Sequence, residues 1–333
     1  MTTRRALNTV LSALTLATLG LGAALLPGVV LAQAYPSKPI TIVVSYPPGG
    51  DTDALARIFA EKLALRLGQP VLVENRPGAS GTIGNASVAK APADGHTLLF
   101  TPNTISIATL VLKAGTGAQY DPVNDFTPII QVGTQSLFVV VTTASGANNM
   151  KDLVASAKGD KMGSYGSPGS GSPMHVLGEM FNANAGVKIK QVPYRGSGPA
   201  VIDLVGGHIP MMYTTLGPIL QHVATGKLKI LAVADPVRSP FQPDVPTLSE
   251  TGYKDSDVGA WQGIMGPKGL SPEIVRTLNN HVNEILKMPD VLARLTTLTT
   301  TPTGGEPGVL GRRNAADNVK YAKVIKDFGI QAD

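Results

Sequence analysis

Ile40-Thr41-Ile42-Val43-Val44-Ser45-Tyr46-Pro47-Pro48-Gly49-Gly50-Asp51-Thr52-Asp53-Ala54-Leu55-Ala56-Arg57 reads as a buried strand, a tight turn and the opening turns of an amphipathic helix. The run from Ile40 to Val44 is short, β-branched and apolar, the signature of a strand covered on both faces. Pro47-Pro48-Gly49-Gly50 ends it, because prolines lack a backbone donor and glycines accept positive φ. Leu55, Ile58, Phe59 and Leu63 then recur at helical spacing and make an apolar stripe. The free N–H groups of that helix start lie just past the strand's carboxyl end. A helix start attracts anions, and the carboxyl edge of an open parallel sheet is where ligands bind. Taken alone, most strand-turn-helix units bind nothing.

The elements that follow extend this unit into a βαβαβ pattern, the half of a doubly wound sheet. Gln69 to Glu74 is a second short strand, and Asn75-Arg76-Pro77-Gly78-Ala79-Ser80-Gly81-Thr82 is a glycine-rich loop opening a helix through Lys90. His96 to Thr101 is a third strand. The two strand-to-helix loops, Pro48–Asp53 and Gly78–Gly81, are expected side by side on one edge, where paired glycine-rich loops form an anion nest. Asp121 to Gly133 reads as a crossover. A second alternating series starts at Leu137–Val141. It runs through a helix at Met150–Lys158, a strand at Lys161–Tyr165 and the loop Gly166-Ser167-Pro168-Gly169-Ser170-Gly171-Ser172-Pro173. A helix at Met174–Asn184, a strand at Lys188–Val192, a helix at Pro199–Val205, and strands at Ile209–Tyr213 and Leu228–Ala234 complete it. Ser271-Pro272-Glu273 caps a late helix, and another spans Gly308–Asp327. The expected architecture is two α/β lobes around a cleft, with the C-terminal segment packing back on the first lobe.

Composition bounds the class. The chain has 333 residues with 37 Gly and 26 Pro, enough for about two domains. Arg4-Arg5 precede an uncharged apolar run from Val10 to Leu31, and Ala32-Gln33-Ala34 supplies a small-x-small cleavage pattern. Gly20, Gly22 and Pro27 interrupt the run and no charged stop-transfer flank follows, which disfavours a membrane anchor. A signal peptide over residues 1–34, cut after Ala34, is the expectation, by the general secretory or the twin-arginine route. With no cysteine, the chain has no disulfide, no thiol chemistry and no lipidated cysteine. The 28 basic side chains less Arg4 and Arg5 leave 26 against 23 acidic, about +3. No run of five like charges occurs, which argues against nucleic acid.

In its motifs the chain resembles the tripartite tricarboxylate transporter substrate-binding proteins, the Bug family of periplasmic solute receptors. The resemblance rests on Tyr35–Ile40, Pro48–Asp53 with Arg57, Val73–Gly84, Val88–Ala91 with Asp94-Gly95, and Asp125–Ile129. Gly169–Ser172 with His175, Pro193–Gly196, Asp244–Gly252, and Trp261 with Gly263 continue it in order. It implies a type II periplasmic-binding-protein fold of two α/β lobes with a hinge and a ligand cleft. The lobes are expected at 35–133, 134–257 and, returning to the first, 258–333. It also implies binding without chemistry, no cofactor, and delivery of a small organic carboxylate to a two-subunit membrane permease. In the family, one ligand carboxylate sits against the loops matching Pro48–Asp53 and Ala79–Thr82, while those matching Ser167–Ser172 and Tyr194-Arg195 close over it. His96 stands where the family usually has Tyr, Tyr46 where Phe is common, and Lys113–Gln119 is longer than usual.

The candidate ligand set follows. Gly49, Gly50, Asp51 and Thr52 offer backbone N–H groups, and Thr52 a hydroxyl. Asp53 is expected to cap the helix or pair with Arg57, since a carboxylate repels another. Ala79, Ser80, Gly81 and Thr82 form the parallel loop, and Thr101 and Asn103 lie at the end of the third strand. Ser167, Gly169, Ser170 and Gly171 are read as hydrogen-bonders, because no Gly-x-Ser-x-Gly surrounds the serines. Tyr46 and Tyr194 flank an organic ligand or fill the hinge, and Arg195 either forks onto a carboxylate or lies solvated. His175 reads as a structural hydrogen-bonder, Trp261 as packing, and Met211-Met212-Tyr213 as a buried strand from which Tyr213 and Thr214 can reach the cleft. The other histidines are scattered singly, so no metal site is expected. The reading is an exported, monomeric receptor for a di-, tri- or aromatic carboxylate. Its rivals are a ligand-presenting sensor for a membrane kinase and an exported enzyme using the same cleft.

Overall fold

The computed structural model describes residues 35–332 apart from 114, 116, 160 and 255–257. The expected signal peptide lies outside the described residues.

Strand β1 (Ile40–Val44) is buried at every position but Thr41. Helix α1 (Asp51–Leu67) follows, with Asp51 and Asp53 in its first turn and Gly68 ending it at φ +66, where the Gly68 N–H bonds Ala64 O. Acids at the start and a left-handed glycine at the end are what a helix's unpaired amides and carbonyls favour. Leu55, Ile58, Phe59 and Leu63 form its buried stripe, and Phe59 stacks on Phe100 at 6.1 Å. Strand β2 (Val71–Asn75) alternates half-buried and exposed residues, as befits an edge. A tight turn at Ala79–Gly81 leads into α2 (Thr82–Ala89) and then β3 (Thr97–Pro102). β1 pairs in parallel with both β2 and β3, so the βαβαβ expectation holds.

A four-residue helix α3 (Ala108–Val111) comes next. The stretch expected as a crossover at Asp121–Gly133 instead carries the ten-residue strand β4 (Phe126–Gln135). Pro128 lies inside that strand. In the sheet it pairs opposite Met265 beside a register shift, where a residue without a donor is tolerated.

The chain then crosses to a second sheet through β5 (Phe138–Thr142), α4 (Met150–Lys158), β6 (Ser164–Ser167), α5 (Pro173–Ala185) and β7 (Lys190–Pro193). α6 (Ser197–Val205), β8 (Met211–Thr214), α7 (Leu220–Ala224) and β9 (Leu228–Val233) complete that lobe. β10 (Ala260–Pro267) returns to the first sheet and inserts antiparallel between β3 and β4. With the two-residue β11 (Thr301–Pro302) at one edge, the sheets are mixed, in the orders β11-β4-β10-β3-β1-β2 and β7-β6-β8-β5-β9.

α8 (Pro272–Ile285) starts as its sequence dictates, with Ser271 Oγ accepting from the Ile274 N–H at 3.3 Å. α9 (Pro289–Thr297), the two-residue β11 (Thr301–Pro302) and α10 (Pro307–Phe328) close the chain. α10 does not pack on the first lobe alone. Leu310 joins the core around Trp261 and Met265, whereas Tyr321 and Ile325 join the second lobe's core with Tyr165, Phe181 and Tyr213. Trp261 is fully buried, and its indole N–H donates to Asp317 Oδ2 at 2.7 Å.

Candidate functional site

Two acids two residues apart open α1 and are held differently. Asp53 is buried. Its Oδ2 accepts from the Gly49 N–H and Arg57 Nε, both at 3.0 Å, and its Oδ1 from Arg57 Nη2 and Asn75 Nδ2, both at 2.9 Å. Burial pushes its pKa up, but the bonds from Arg57, Gly49 and Asn75 outweigh it and hold the carboxyl below the usual range. The expected Asp53–Arg57 pair is thus present. The Gly49 N–H, expected to face a ligand, is instead bonded to Asp53.

The cap position of α1 is Gly50, which offers no side-chain acceptor, so the first-turn amides have no capping partner. They border a cavity of about 120 Å³ lined by Tyr46, Pro47 to Thr52, Asn103, Gln135 and Gln262 from the first lobe. From the second lobe come Pro168, Met174, Arg195, Gly196 to Pro199, and Thr215. Those last residues include the start of a second helix, α6. Its cap position is Gly196, at φ +102, again without a side-chain cap. Pro199 has no N–H, which leaves the Ser197 and Gly198 amides as the α6 donors at this end. Two uncapped helix N-termini, one from each lobe, line one cavity.

Asp51 projects between them. Thr215 Oγ1 of the second lobe donates to its Oδ2 at 2.5 Å, and Gln135 Nε2 to the same oxygen at 3.4 Å. Burial raises its pKa above the ordinary carboxylate range, against the opposing bonds from Thr215 and Gln135. Gln135 Nε2 also bonds Leu298 O at 3.3 Å, so its amide group faces acceptors and its Oε1 faces Gln262, whose Nε2 donates to it at 3.4 Å. Gln262 Oε1 is left without a partner among the described residues. So is Asn103 Oδ1, because Asn103 Nδ2 is committed to Gly259 O at 2.8 Å.

The remaining candidates separate from this cavity. Ala79, Ser80 and Gly81 line a neighbouring space of about 610 Å³ with Tyr194 and Arg195. Tyr46, Pro47, Pro168, Arg195 and Gly196 border both. Ala79 and Ser80 hold φ of +44 and +53, a conformation costly for residues with a Cβ and typical of sites where geometry is imposed. Tyr46 lies between the spaces with its hydroxyl 3.5 Å from Ser80 O, and burial lifts its pKa to about 12 against a Thr104 hydrogen bond. Tyr194 donates its hydroxyl to Asp203 Oδ2 at 2.7 Å; burial and that carboxylate lift it to about 12.

Gly169 and Ser170 border a third space shared with Ser80. Thr82, Thr101, Ser167 and Gly171 line none of the three. Thr82 Oγ1 donates to Ala79 O at 2.9 Å and Thr101 Oγ1 to Pro102 O at 3.2 Å, while Ser167 Oγ accepts from Gln191 Nε2 at 2.6 Å. Gly171 packs on the first lobe: a Cβ there would stand 2.8 Å from Ala108 Cα. His175 is structural, its Nδ1 accepting from the Gly171 N–H at 3.1 Å. Tyr213 and Thr214 are buried and reach none of these spaces, but the next residue, Thr215, does. The sequence reading did not select Gln135, Thr215, Gln262 or Ser197. Only Ser197 had a visible signal, the Gly196-Ser197-Gly198 run before a helix.

Two mixed α/β lobes joined by crossing strands around a lined cavity define a periplasmic-type solute-binding receptor. The chain belongs to the tripartite tricarboxylate transporter receptor family, whose model matches residues 55–330. That is a family of substrate-binding receptors, not of enzymes. Protein BugT of Bordetella pertussis is 35% identical over 302 residues, 90% of this chain and 92% of the relative. The solved structure of the periplasmic binding protein BugD is 33% identical with a TM-score of 0.83, covering 90% of this chain and all of that one. A structure of R. palustris Rpa4515 with adipate is 32% identical with a TM-score of 0.84, covering 89% and 99%. Among the described residues, no helix is long and apolar enough to cross a membrane.

Proposed function

We propose that this chain is an exported, monomeric receptor that captures a small dicarboxylate and delivers it to the two membrane subunits of a tripartite transporter. The observation that carries this reading is the pair of glycine-capped helix N-termini, α1 at Gly50 and α6 at Gly196, lining one cavity from opposite lobes. Each supplies backbone donors and the positive end of a helix dipole to one carboxylate. A charge-assisted N–H bond contributes about 1.5–3 kcal/mol, so two such bonds per end hold a dianion without a buried cation. Because the donors sit on both lobes, the ligand stabilises the closed arrangement by its differential affinity for it. The relative solved with adipate, a dicarboxylate, supports the class. Residues 1–34 are taken as a signal peptide removed on export.

Thermal unfolding of the purified, refolded protein against a panel of mono-, di-, tri- and aromatic carboxylates tests the reading. A ligand at 100 times its Kd adds about 2.7 kcal/mol of stability. A shift confined to dicarboxylates is expected; a panel with no shift, or one led by monocarboxylates, overturns it.

A further inference from the structure

Glycines of the second lobe face the first lobe at close range. A Cβ on Gly169 would stand 2.7 Å from Ser80 Oγ, one on Gly171 2.8 Å from Ala108 Cα, and one on Gly196 3.5 Å from Pro47 Cδ. Gly217 belongs to the same seam, because its Cβ would stand 3.3 Å from Asp51 Oδ1 and 3.5 Å from Leu298 O. Its φ is not positive, so the contact, rather than its own backbone, calls for glycine there. The half-buried Asp51 carboxylate is thus seated on the second lobe, with Oδ1 packed against Gly217 and Oδ2 accepting from Thr215 Oγ1 at 2.5 Å. A hydrogen bond to an ionised group is about twice as strong as one between neutral groups.

Both halves of this contact are anchored. Leu216 and Ile219, which flank Gly217, are buried in the second lobe's core with Phe138, Val140 and Met212. Asp51 opens α1, and Gln135 Nε2 bridges its Oδ2 to Leu298 O within the first lobe. A bond between anchored partners costs little conformational entropy to form, and this one forms only when the lobes are together.

We propose that Thr215 and Gly217 are positioning residues that latch the second lobe onto Asp51, stabilising the closed arrangement and slowing release of what the cavity holds. The effect on release rests on the receptor reading above; the effect on closure does not.

Small-angle X-ray scattering of the refolded protein, with no carboxylate added, tests the latch. Thr215→Val keeps the side chain's shape and removes its hydroxyl, and Gly217→Ala crowds Asp51. Both variants are expected to have a larger radius of gyration than the parent, so the test survives misfolding of one. Thr215→Ser, which keeps the hydroxyl, is expected to match the parent. Release of adipate, or of the tightest-binding carboxylate of the panel, is then followed by stopped flow. It is expected to quicken about tenfold in Thr215→Val, with association changed less than threefold. Equal radii of gyration in all four proteins, or a Thr215→Ser protein as open as Thr215→Val, overturn the latch whether or not a carboxylate binds. An unchanged release rate in a variant that has opened overturns its control of release. A parent that binds no carboxylate sinks the receptor reading, and the scattering then decides the latch.

Discussion

At the scale of single residues, Asp51 and Asp53 present the same side chain two residues apart and are held differently. Asp53 is surrounded by donors that fix the turn, and its depressed pKa has a consequence for stability. A group whose folded pKa lies below its unfolded value, near 3.9 for aspartate, contributes stability above that value. The contribution is lost as pH falls through the folded pKa. Asp53→Asn is therefore expected to destabilise the protein by about 2–3 kcal/mol at pH 7. Urea unfolding of the two proteins should show that difference shrinking below about pH 4. Equal stability at pH 7 would mean that Asp53 does not organise the turn. The Asp53–Arg57 pair was legible in the sequence because its partners are four residues apart. The side chain of Asp51 was not, since its partners Gln135 and Thr215 lie 84 and 164 residues along the chain. No local pattern encodes such a meeting.

At the scale of elements, the regular helices and buried strands were legible because their periodicity is local. Met150–Lys158 and Ile40–Val44 fall where the pattern puts them. β4 and β10 did not announce themselves. Pro128 and Gly133 punctuate the one and Gly263 and Gly266 the other, and Pro128, Gly133 and Gly263 lie beside the register shifts between the two strands. Close approach also explains a glycine that no turn requires. A Cβ at Gly84, inside α2, would stand 2.7 Å from Arg76 O and 3.0 Å from Ser45 Cα, both backbone atoms. Gly84→Ala is expected to destabilise by about 1–3 kcal/mol through overpacking, read from the urea midpoint. The shift should also displace the Ala79–Gly81 turn that precedes α2. A variant as stable as the parent would show that α2 has room to move off β1.

At the scale of the whole molecule, the two-lobe plan was legible from the two alternating series, and the cleft from its first glycine turn. Which residues share the cavity was not. The expected set divides among three spaces and the interior, because the serine-rich loop packs its Gly171 against Ala108 of the first lobe. The lobes are also tied by α10, whose Leu310 and Tyr321 belong to different cores, and by the Thr215–Asp51 bond across the cavity. Closure around a ligand must work within those ties. The central claim is that both helix N-termini hold carboxylates at once. Calorimetric titration of the refolded protein with its best dicarboxylate and with that ligand's monoester tests it most directly. Losing one carboxylate removes about two charge-assisted bonds, roughly 3 kcal/mol, and so should weaken binding about 100-fold or more. A monoester that binds within threefold of the diacid would contradict capture from both lobes.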